Sequence, residues 1–209
     1  MVSVTVIDHG AGNLRSVARA LEAVGATVQV TGDVNALRDA GWVVFPGQGA
    51  FGDCMTRLRA TGLQAVIERH IRQGKPYLGI CLGLQVLFQT GHERGEWAGL
   101  GVLAGSCERL PTLPGVKVPH MGWNQVDSED CDALQHTWLR SLPREWYYFV
   151  HSYRVLPAPN QMLERVTVHH DGIPIVAAVA RENVMACQFH PEKSHRGGLE
   201  LLRSFLEFP

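Results

Sequence analysis

The first half of the chain alternates short apolar segments with helical patterns, and this alternation narrows the possible folds more than any other feature. In the first predicted helix, Leu14, Val17, Ala18 and Leu21 recur at the spacing of one helix face. A helix between two strands returns the chain to the same edge of a sheet, so these strands are expected to be parallel and covered on both faces. The predicted strands are Val2–Ile7, Thr27–Thr31, Trp42–Phe45 and Pro76–Ile80, and further helices are predicted around Ala36 and over Leu63–Gln73.

The second half has successive strand patterns with few helices between them, which favours antiparallel or mixed pairing for part of the sheet. The proline-rich stretch Leu110–Asn124 is interpreted as an ordered irregular loop, and Gly197–Phe208 as a closing amphipathic helix. With no repeat or domain boundary, residues 1–209 are predicted to form one α/β domain with a single doubly wound, mostly parallel or mixed sheet flanked by helices. The later strand candidates are Val102–Leu110, Trp146–Val155, Met162–His170, Pro174–Ala180 and Val184–His190.

Composition and charge exclude several classes of function. The net charge of -1 gives no broad positive field for DNA, RNA or an anionic membrane. No basic flank with an apolar core opens the chain, and no apolar run reaches the ~20 residues of a membrane span. We therefore expect a cytoplasmic protein without nucleic-acid or membrane partners.

The five cysteines form an odd set without a C-x-x-C pair. This pattern argues against a disulfide framework and a zinc site, so free thiols are expected, with at most one of chemical importance. Four of them, Cys54, Cys107, Cys131 and Cys187, are interpreted as packing residues. The adjacent His169 and His170 favour alternating exposure in a strand over metal binding, and neither a metal nor a cofactor is expected.

The fifth thiol lies in Gly79-Ile80-Cys81-Leu82-Gly83, where an apolar strand is predicted to give way to an apolar helix that continues to Phe88. G-x-C-x-G is the thiol form of a nucleophile elbow, in which glycines remove side chains that would collide with the strand and helix. Backbone N–H groups at the helix start favour a thiolate, and the N–H of Leu82 is a candidate oxyanion donor. The alternative is a buried structural cysteine in a glycine-containing turn.

A thiolate that attacks a carboxamide needs a base, and that base needs an orienting acceptor. His190 and Glu192 are two residues apart, so they lie on the same side if the last strand continues through them. Pro191 indicates the end of that strand, where side chains reach a site at the sheet edge. Taken alone, H-x-E more often indicates a surface ion pair.

Motifs along the chain resemble the triad-type (class I) glutamine amidotransferases, which implies a flavodoxin-like fold and hydrolysis of glutamine. The resemblance is greatest to the branch that serves a histidine-pathway cyclase, because of "PHMGWN" and "YFVHSY". The segments that carry it are Gly10–Val17, Pro46–Asp53, Gly79–Phe88, Val118–Asn124, Tyr147–Tyr153 and Gln188–Ser194.

By this resemblance, Cys81 is the nucleophile, His190 the acid/base and Glu192 its orienter. The N–H groups of Gln48 and Leu82 form the oxyanion hole, and Gly47 permits a peptide flip there. Gln48 departs from the family, where Val is commoner, and "PGQG" can also be read as a simple turn. The implied glutamine-binding residues are Gly49, Gln85, His151, Ser152 and Tyr153, although Gln85 can also serve helix packing and Tyr147–Tyr153 can be a core strand.

The resemblance also implies a heterodimer with a (β/α)8-barrel cyclase subunit, since no synthase domain is fused to this chain. Asn13, His120, Trp123 and Lys193 are expected to lie toward that partner. Asn13 can equally be a helix N-cap, and the loop with His120, Trp123 and Asn124 can be purely architectural.

Three other functions remain open from the sequence. One is a glutaminase of vitamin B6 or purine synthesis, another is a γ-glutamyl hydrolase, and the third is a non-catalytic regulatory subunit on the same fold. The "PHMGWN" segment disfavours the first two, and the intact set of Cys81, His190 and Glu192 disfavours the third.

Overall fold

The computed structural model describes residues 1–126, 134–140, 142, 144–159 and 161–208. The strands are β1 (Ser3–Ile7), β2 (Thr27–Thr31), β3 (Trp42–Gly47), β4 (Tyr77–Cys81), β5 (Phe88–Gly91), β6 (Trp97–Ala98), β7 (Leu103–Arg109), β8 (His120–Gln125), β9 (Trp146–His151), β10 (Tyr153–Pro157), β11 (Glu164–His170), β12 (Ile173–Arg181) and β13 (Val184–Cys187). The helices are α1 (Leu14–Ala23), α2 (Val34–Arg38), α3 (Phe51–Thr61), α4 (Leu63–Arg72), α5 (Leu82–Gln85), α6 (Thr137–Arg140) and α7 (His195–Leu206), and a 3-10 turn spans Pro191–Lys193.

The main sheet has the strand order β11-β12-β13-β4-β3-β1-β2. Strands β2, β1, β3, β4 and β13 are parallel to their neighbours in that series, whereas β12 and β11 add an antiparallel edge. The predicted doubly wound, mostly parallel α/β sheet is therefore confirmed. The parallel strands place their carboxyl ends at one edge, where an open α/β sheet normally carries its site.

Two hydrophobic clusters lie on the two faces of this sheet. On one face, α1 and α7 pack with buried residues such as Leu21, Leu202 and Phe205. On the other, α3 and α4 contribute residues such as Met55 and Ile67. Because both faces are covered by helices, the central strand β4 is buried along its whole length, which fixes the position of the residue that ends it.

The described residues form three sheets rather than the single sheet expected from the sequence. The predicted strand Trp146–Val155 breaks at Ser152, so β9 pairs with β8, while β10 joins β7, β5 and β6. Strand β8 begins inside the stretch that was interpreted as an irregular loop, directly after the cis peptide bond between Val118 and Pro119. These pairings are long-range, so local patterns do not reveal them.

Two helix predictions near the elbow also need correction. Helix α3 was not predicted, because the glycines of "PGQGAFGD" are typical of a turn. Gly52 nevertheless lies inside this helix, and it is glycine for a packing reason, since a Cβ there would lie 2.3 Å from the Trp97 ring. The apolar helix after Cys81 was expected to reach Phe88, yet it ends after one turn at Gln85, and Phe88 begins β5. Short apolar runs do not distinguish helix from buried strand.

Candidate active site

Three neighbouring strands end together at the carboxyl edge of the sheet. In the parallel register, Gly47 at the end of β3 lies opposite Cys81 at the end of β4. On the other side of β4, Cys187 at the end of β13 lies opposite Ile80. The segments that follow these strands are the "PGQG" loop, the elbow and the His190–Glu192 segment. Chain topology therefore brings together groups that are far apart in sequence.

The elbow has the strained backbone that the glycines were expected to permit. Cys81 has a φ of 53°, in the left-handed region that side-chain-bearing residues seldom adopt. A Cβ at Gly79 would lie 2.4 Å from the carbonyl oxygen of Gly83, and a Cβ at Gly83 would lie 2.0 Å from that of Phe45. Both glycines are needed because strand and helix backbones approach closely on either side of the thiol.

Replacement of Gly83 by Ala is expected to destabilise the protein by at least ~3 kcal/mol, because the Phe45 carbonyl belongs to a central strand and cannot move aside. Chemical denaturation measures this free energy of unfolding. Gly41→Ala is the matched control, since its Cβ would meet nothing within 4 Å. Equal stabilities for the two variants would contradict the close approach at the elbow.

The His190–Glu192 pair is formed by a 3-10 turn rather than by a continued strand. Strand β13 ends at Cys187, and the chain then turns through Pro191–Lys193. Nδ1 of His190 still lies 2.8 Å from Oε1 of Glu192, and both side chains are almost completely buried. The Ser194 hydroxyl donates to the His190 carbonyl oxygen and accepts from the N–H of Tyr148, which fixes the turn.

The surroundings of His190 favour the imidazolium form. Burial lowers the pKa of His190, but its interactions with Cys81 and Glu192 outweigh burial and raise the pKa to about 9. Nε2 of His190 is buried and has no hydrogen-bond partner of normal geometry among the described residues, yet the ring lies near enough to the Cys81 side chain for that group to raise the pKa of His190. The arrangement favours an imidazolium ring beside the Cys81 sulfur.

Replacement of Glu192 by Gln is expected to lower the turnover of glutamine by ~10- to 100-fold, because an amide can present the wrong hydrogen-bonding group to Nδ1. It also removes a charge that raises the pKa of His190, so any loss of activity at high pH should begin at a lower pH. The pH dependence of kcat tests both statements. Glu207→Gln is the control, because Glu207 is exposed and lies at the end of α7. If the pH dependence of kcat for Glu192→Gln equals that of the wild type, the role assigned to Glu192 is contradicted.

Cys81 and His190 open into one cavity of about 470 Å³, a size that fits a small ligand. The cavity contains every residue that the resemblance implied for the triad thiol and base, the oxyanion hole and the glutamine pocket. Glu93 also contributes to its wall and was missed from the sequence. The lining residues are Gln48, Gly49, Cys81, Leu82, Gln85, Glu93, Pro119, Val150, His151, Ser152, Tyr153, His190 and Lys193.

The two candidate oxyanion donors come from adjoining segments. A Cβ at Gly47 would lie 2.5 Å from the Leu82 Cβ, so the "PGQG" loop packs directly against the elbow. Gly47 therefore has a packing reason to be glycine in addition to the flip expected from the sequence. The side chain of Gln48 is exposed, and Gly49 has a φ of 108°, which favours glycine at that position.

Two glutamine side chains connect the thiol with the cavity wall. The Gln188 amide nitrogen donates to the Cys81 sulfur at 3.5 Å, and the Gln85 amide nitrogen donates to Gln188 Oε1 and to the Tyr153 carbonyl oxygen, both at 3.2 Å. Gln188 was not among the predicted site residues. The sequence signal that could have identified it is its position two residues before His190, which places both side chains on the same side of an extended segment.

The four candidate partner-facing residues have different exposures. Trp123 is 44% exposed, and Lys193 lies over the Tyr148 ring at 5.7 Å from its centroid. His120 is only 3% exposed, so its side chain does not belong to the surface. Side chains alternate along β8, which directs His120 inward and Trp123 outward. Asn13 occupies the N-cap position of α1, but its side chain makes no capping hydrogen bond.

Outside the cavity, the other described cysteines behave as packing residues, as expected. Cys54, Cys107 and Cys187 are buried in the two hydrophobic clusters. Burial raises the pKa of the Cys54 thiol to about 12 and raises that of Cys187 as well. These thiols therefore stay protonated at neutral pH. Cys131 lies outside the described residues.

His169 is exposed and His170 half-buried on β11, in line with alternation along a strand. Within the described ranges, no group of three or more metal-ligating side chains is close enough to hold an ion. No helix in the same ranges has the length and apolar character needed to cross a bilayer.

Comparison with known proteins identifies relatives over almost the whole chain. The family model described as "Glutamine amidotransferase class-I" matches residues 5–207. The protein named "Imidazole glycerol phosphate synthase subunit HisH" from Aquifex aeolicus (strain VF5) is 48% identical over 205 residues, covering 96% of this chain and 94% of the relative. The protein of the same name from Thermosynechococcus vestitus (strain NIES-2133 / IAM M-273 / BP-1) is 47% identical, with 98% and 96% covered.

Solved structures agree on the fold. "Crystal structure of glutamine amidotransferase" matches with a TM-score of 0.73 at 20% identity, covering 98% of this chain and 97% of the other. "Structure of PurLQS from Thermotoga maritima" matches with a TM-score of 0.68 at 18% identity, covering 99% and 98%. At these identities the likeness establishes the α/β architecture alone.

Proposed function

The chain belongs to the class-I glutamine amidotransferase family, and on that premise we propose that it is the glutaminase subunit of an imidazole glycerol phosphate synthase. It hydrolyses glutamine and delivers the ammonia to a cyclase subunit, which makes imidazole glycerol phosphate and aminoimidazole carboxamide ribonucleotide in histidine biosynthesis. The observation that supports this best is the meeting of Cys81 and His190 in one cavity, with Glu192 bonded to the other nitrogen of the His190 ring. Identity of 47–48% to subunits of that name favours this pathway over the other glutaminase functions.

The first half of the reaction forms a thioester. The Cys81 thiolate attacks the side-chain carbonyl carbon of glutamine, and the carbonyl oxygen becomes an oxyanion. The N–H groups of Gln48 and Leu82 stabilise this oxyanion. When the C–N bond breaks, His190 gives its Nε2 proton to the leaving nitrogen, so ammonia departs and a γ-glutamyl thioester remains. The raised pKa of His190 supports this role because the ring still holds its proton at neutral pH.

The second half releases glutamate. After giving up its proton, the neutral His190 ring takes a proton from a water molecule that attacks the thioester carbonyl. The C–S bond breaks, which regenerates the thiolate beside an imidazolium. Glu192 holds Nδ1 throughout, so that Nε2 stays directed at the reacting atoms.

Substrate recognition uses the cavity wall on both sides of Cys81. The Glu93 carboxylate suits the α-ammonium group of glutamine, because it is the acidic residue among the described lining residues. The segment His151–Tyr153 and Gly49 present backbone groups, and Gln85 presents an amide, for the remaining polar atoms of the amino acid. Glu93 also accepts from the Phe51 N–H at 2.8 Å, which connects the substrate pocket to the start of α3.

The cyclase is proposed to bind the tryptophan face, defined as Met121, Trp123 and Trp146 on β8 and β9. These side chains are 61%, 44% and 53% exposed. Exposed aromatic residues of this size are typical anchors of protein interfaces. Lys193 and Tyr148 lie beside this face, between it and the cavity, so ammonia has a short route to the partner. The complex is a cytoplasmic heterodimer with a (β/α)8-barrel subunit.

Co-purification with a histidine-pathway cyclase, followed by a glutamine-dependent synthesis assay, tests this function. We expect a stable complex that converts glutamine and the cyclase substrate into both products. Replacement of the cyclase by a purine-pathway or vitamin B6-pathway partner serves as the control. Glutamine-dependent activity only with one of those partners would assign the chain to another pathway.

The isolated subunit is expected to hydrolyse glutamine at least ~10-fold more slowly than the complex with a liganded cyclase, since the "PGQG" loop contains the glycines that a peptide flip requires. Steady-state glutaminase rates with and without the cyclase and its ligand measure this difference. Equal rates would dismiss activation by the partner.

A further inference from the structure

A continuous, largely buried chain of hydrogen bonds connects strand β8 to the nucleophile. It begins at Asn124, whose amide nitrogen donates to the His169 carbonyl oxygen at 2.9 Å and lies 3.4 Å from Nε2 of His120. Nδ1 of His120 lies 2.9 Å from Nε2 of His151, and Nδ1 of His151 lies 2.8 Å from the Tyr153 carbonyl oxygen. The same carbonyl oxygen accepts from Gln85, from which the chain continues through Gln188 to the sulfur.

Chemistry fixes the direction of each bond in the histidine part of this chain. The Tyr153 carbonyl oxygen only accepts, so His151 must carry its proton on Nδ1 and leave Nε2 as an acceptor. His120 must then donate from Nδ1 to His151, which leaves its own Nε2 to accept from Asn124. Both rings are therefore neutral Nδ1–H tautomers. On each ring Nδ1 donates a hydrogen bond and Nε2 accepts one, so neither nitrogen can take a further proton without losing its partner.

The surroundings support neutral rings. Burial, followed by the neighbouring His151 and His170, lowers the pKa of His120 to about 3. Burial and the neighbouring His170 and His190 lower the pKa of His151 to about 4, despite the bond to the Tyr153 carbonyl. His120 is also stacked between Phe149 and His170, at centroid distances of 4.6 and 4.1 Å, which holds its ring plane.

The amide part has an equally definite direction. Gln85 donates to an acceptor-only carbonyl and to Gln188 Oε1, so Gln188 must present its NH₂ group to the sulfur. A hydrogen bond donated to sulfur favours the thiolate over the thiol. The Tyr153 carbonyl oxygen connects the two parts of the chain, because it accepts a hydrogen bond from Gln85 and another from His151.

We propose that His120 and Gln188 are positioning residues of the glutaminase reaction, which act through this chain to orient Gln85 toward substrate and to stabilise the Cys81 thiolate. This inference rests on the proposed function. It places His120, expected from the sequence at the partner surface, behind His151 of the cavity wall instead. It also explains why a buried histidine lies on the inner side of the strand that carries Trp123 outward.

A matched pair of substitutions tests the role of His120 in the full chain with saturating cyclase. His120→Asn keeps an N–H close to the position of Nδ1, whereas His120→Leu has the same branching and no donor. We expect His120→Leu to raise KM for glutamine by ~10-fold or more with kcat within ~3-fold, and His120→Asn to stay within ~3-fold of wild type in both. His169→Leu should have no effect, because it changes only an exposed side chain and keeps the backbone carbonyl that accepts from Asn124.

The outcomes separate the two ideas. Absence of glutamine hydrolysis by the wild-type complex would overturn the proposed function. Normal wild-type activity with an unchanged KM for His120→Leu, or equal losses in the Leu and Asn variants, would overturn the inference. If His120→Leu does not fold, ¹⁵N NMR of the wild-type imidazoles decides: two Nδ1–H tautomers support the chain, and an Nε2–H tautomer on either ring refutes it.

Gln188→Met removes the donor to sulfur at similar side-chain volume. We expect kcat to fall by ~10-fold or more and half-maximal alkylation of Cys81 by iodoacetamide to require a higher pH. Loss of kcat with an unchanged alkylation profile would show that Gln188 serves packing only and would overturn its positioning role.

Discussion

Replacement of Cys81 by Ser is expected to reduce glutamine-dependent synthesis at least ~1,000-fold while the fold stays intact. A hydroxyl is a much weaker nucleophile than a thiolate, and His190 and Glu192 are arranged around an anionic sulfur. Serine differs from cysteine by one atom and fits the same left-handed backbone position, so the elbow should not be disturbed. Glutamine-dependent and ammonia-dependent rates of the complex with cyclase measure the effect.

Ammonia-dependent synthesis is the internal control for this variant. Because the cyclase subunit performs the later chemistry, added ammonia should restore synthesis to about the wild-type rate. Cys54→Ser is a second control, since this buried thiol is not among the lining residues of the cavity. Retention of glutamine turnover by Cys81→Ser would show that the nucleophile is wrongly assigned.

The sequence predicted the elbow well because its motif is local. Gly79, Cys81 and Gly83 lie within five residues, so the G-x-C-x-G pattern indicates the elbow, although the close approach at Gly83 is to the Phe45 carbonyl of the neighbouring strand. Convergence of Cys81 with His190 was also predictable, since parallel strands end at one edge of the sheet. The supporting detail differed, because a 3-10 turn, and not a continued strand, aligns His190 with Glu192.

The missed features depend on contacts between distant segments. Burial of His120 follows from the pairing of β8 with β9, which no local pattern in a proline-rich stretch indicates. The contacts of Gln188 with Gln85 and the sulfur require β13 to lie beside β4. Glu93 enters the cavity because the helix after the elbow ends early and β5 begins. Tertiary pairing decides each of these positions.

Replacement of His190 by Asn is expected to lower kcat/KM for glutamine by at least ~1,000-fold. The variant removes the group that protonates the leaving nitrogen and later activates water. Asn is preferred to Ala here because its amide can still donate to Glu192, whose buried carboxylate would otherwise lose its partner. Stability close to wild type, measured by thermal unfolding, would show that the loss is catalytic; a loss of less than ~10-fold would contradict the acid/base role.

The pH dependence of the wild-type enzyme provides a second measure of the same group. With a pKa of about 9, His190 keeps its proton through the neutral range, so kcat is expected to fall as pH rises through about 9, when the acid for ammonia departure is lost. An unfolded histidine titrates near ~6.5, so the imidazolium also stabilises the fold below that pH, and this contribution disappears as pH rises through about 9.

In His190→Asn, alkylation of Cys81 should shift to higher pH because the thiolate has lost its cationic partner. If the pH dependence of alkylation in His190→Asn equals that of the wild type, His190 does not interact with Cys81, and its assignment as the acid of the triad is contradicted.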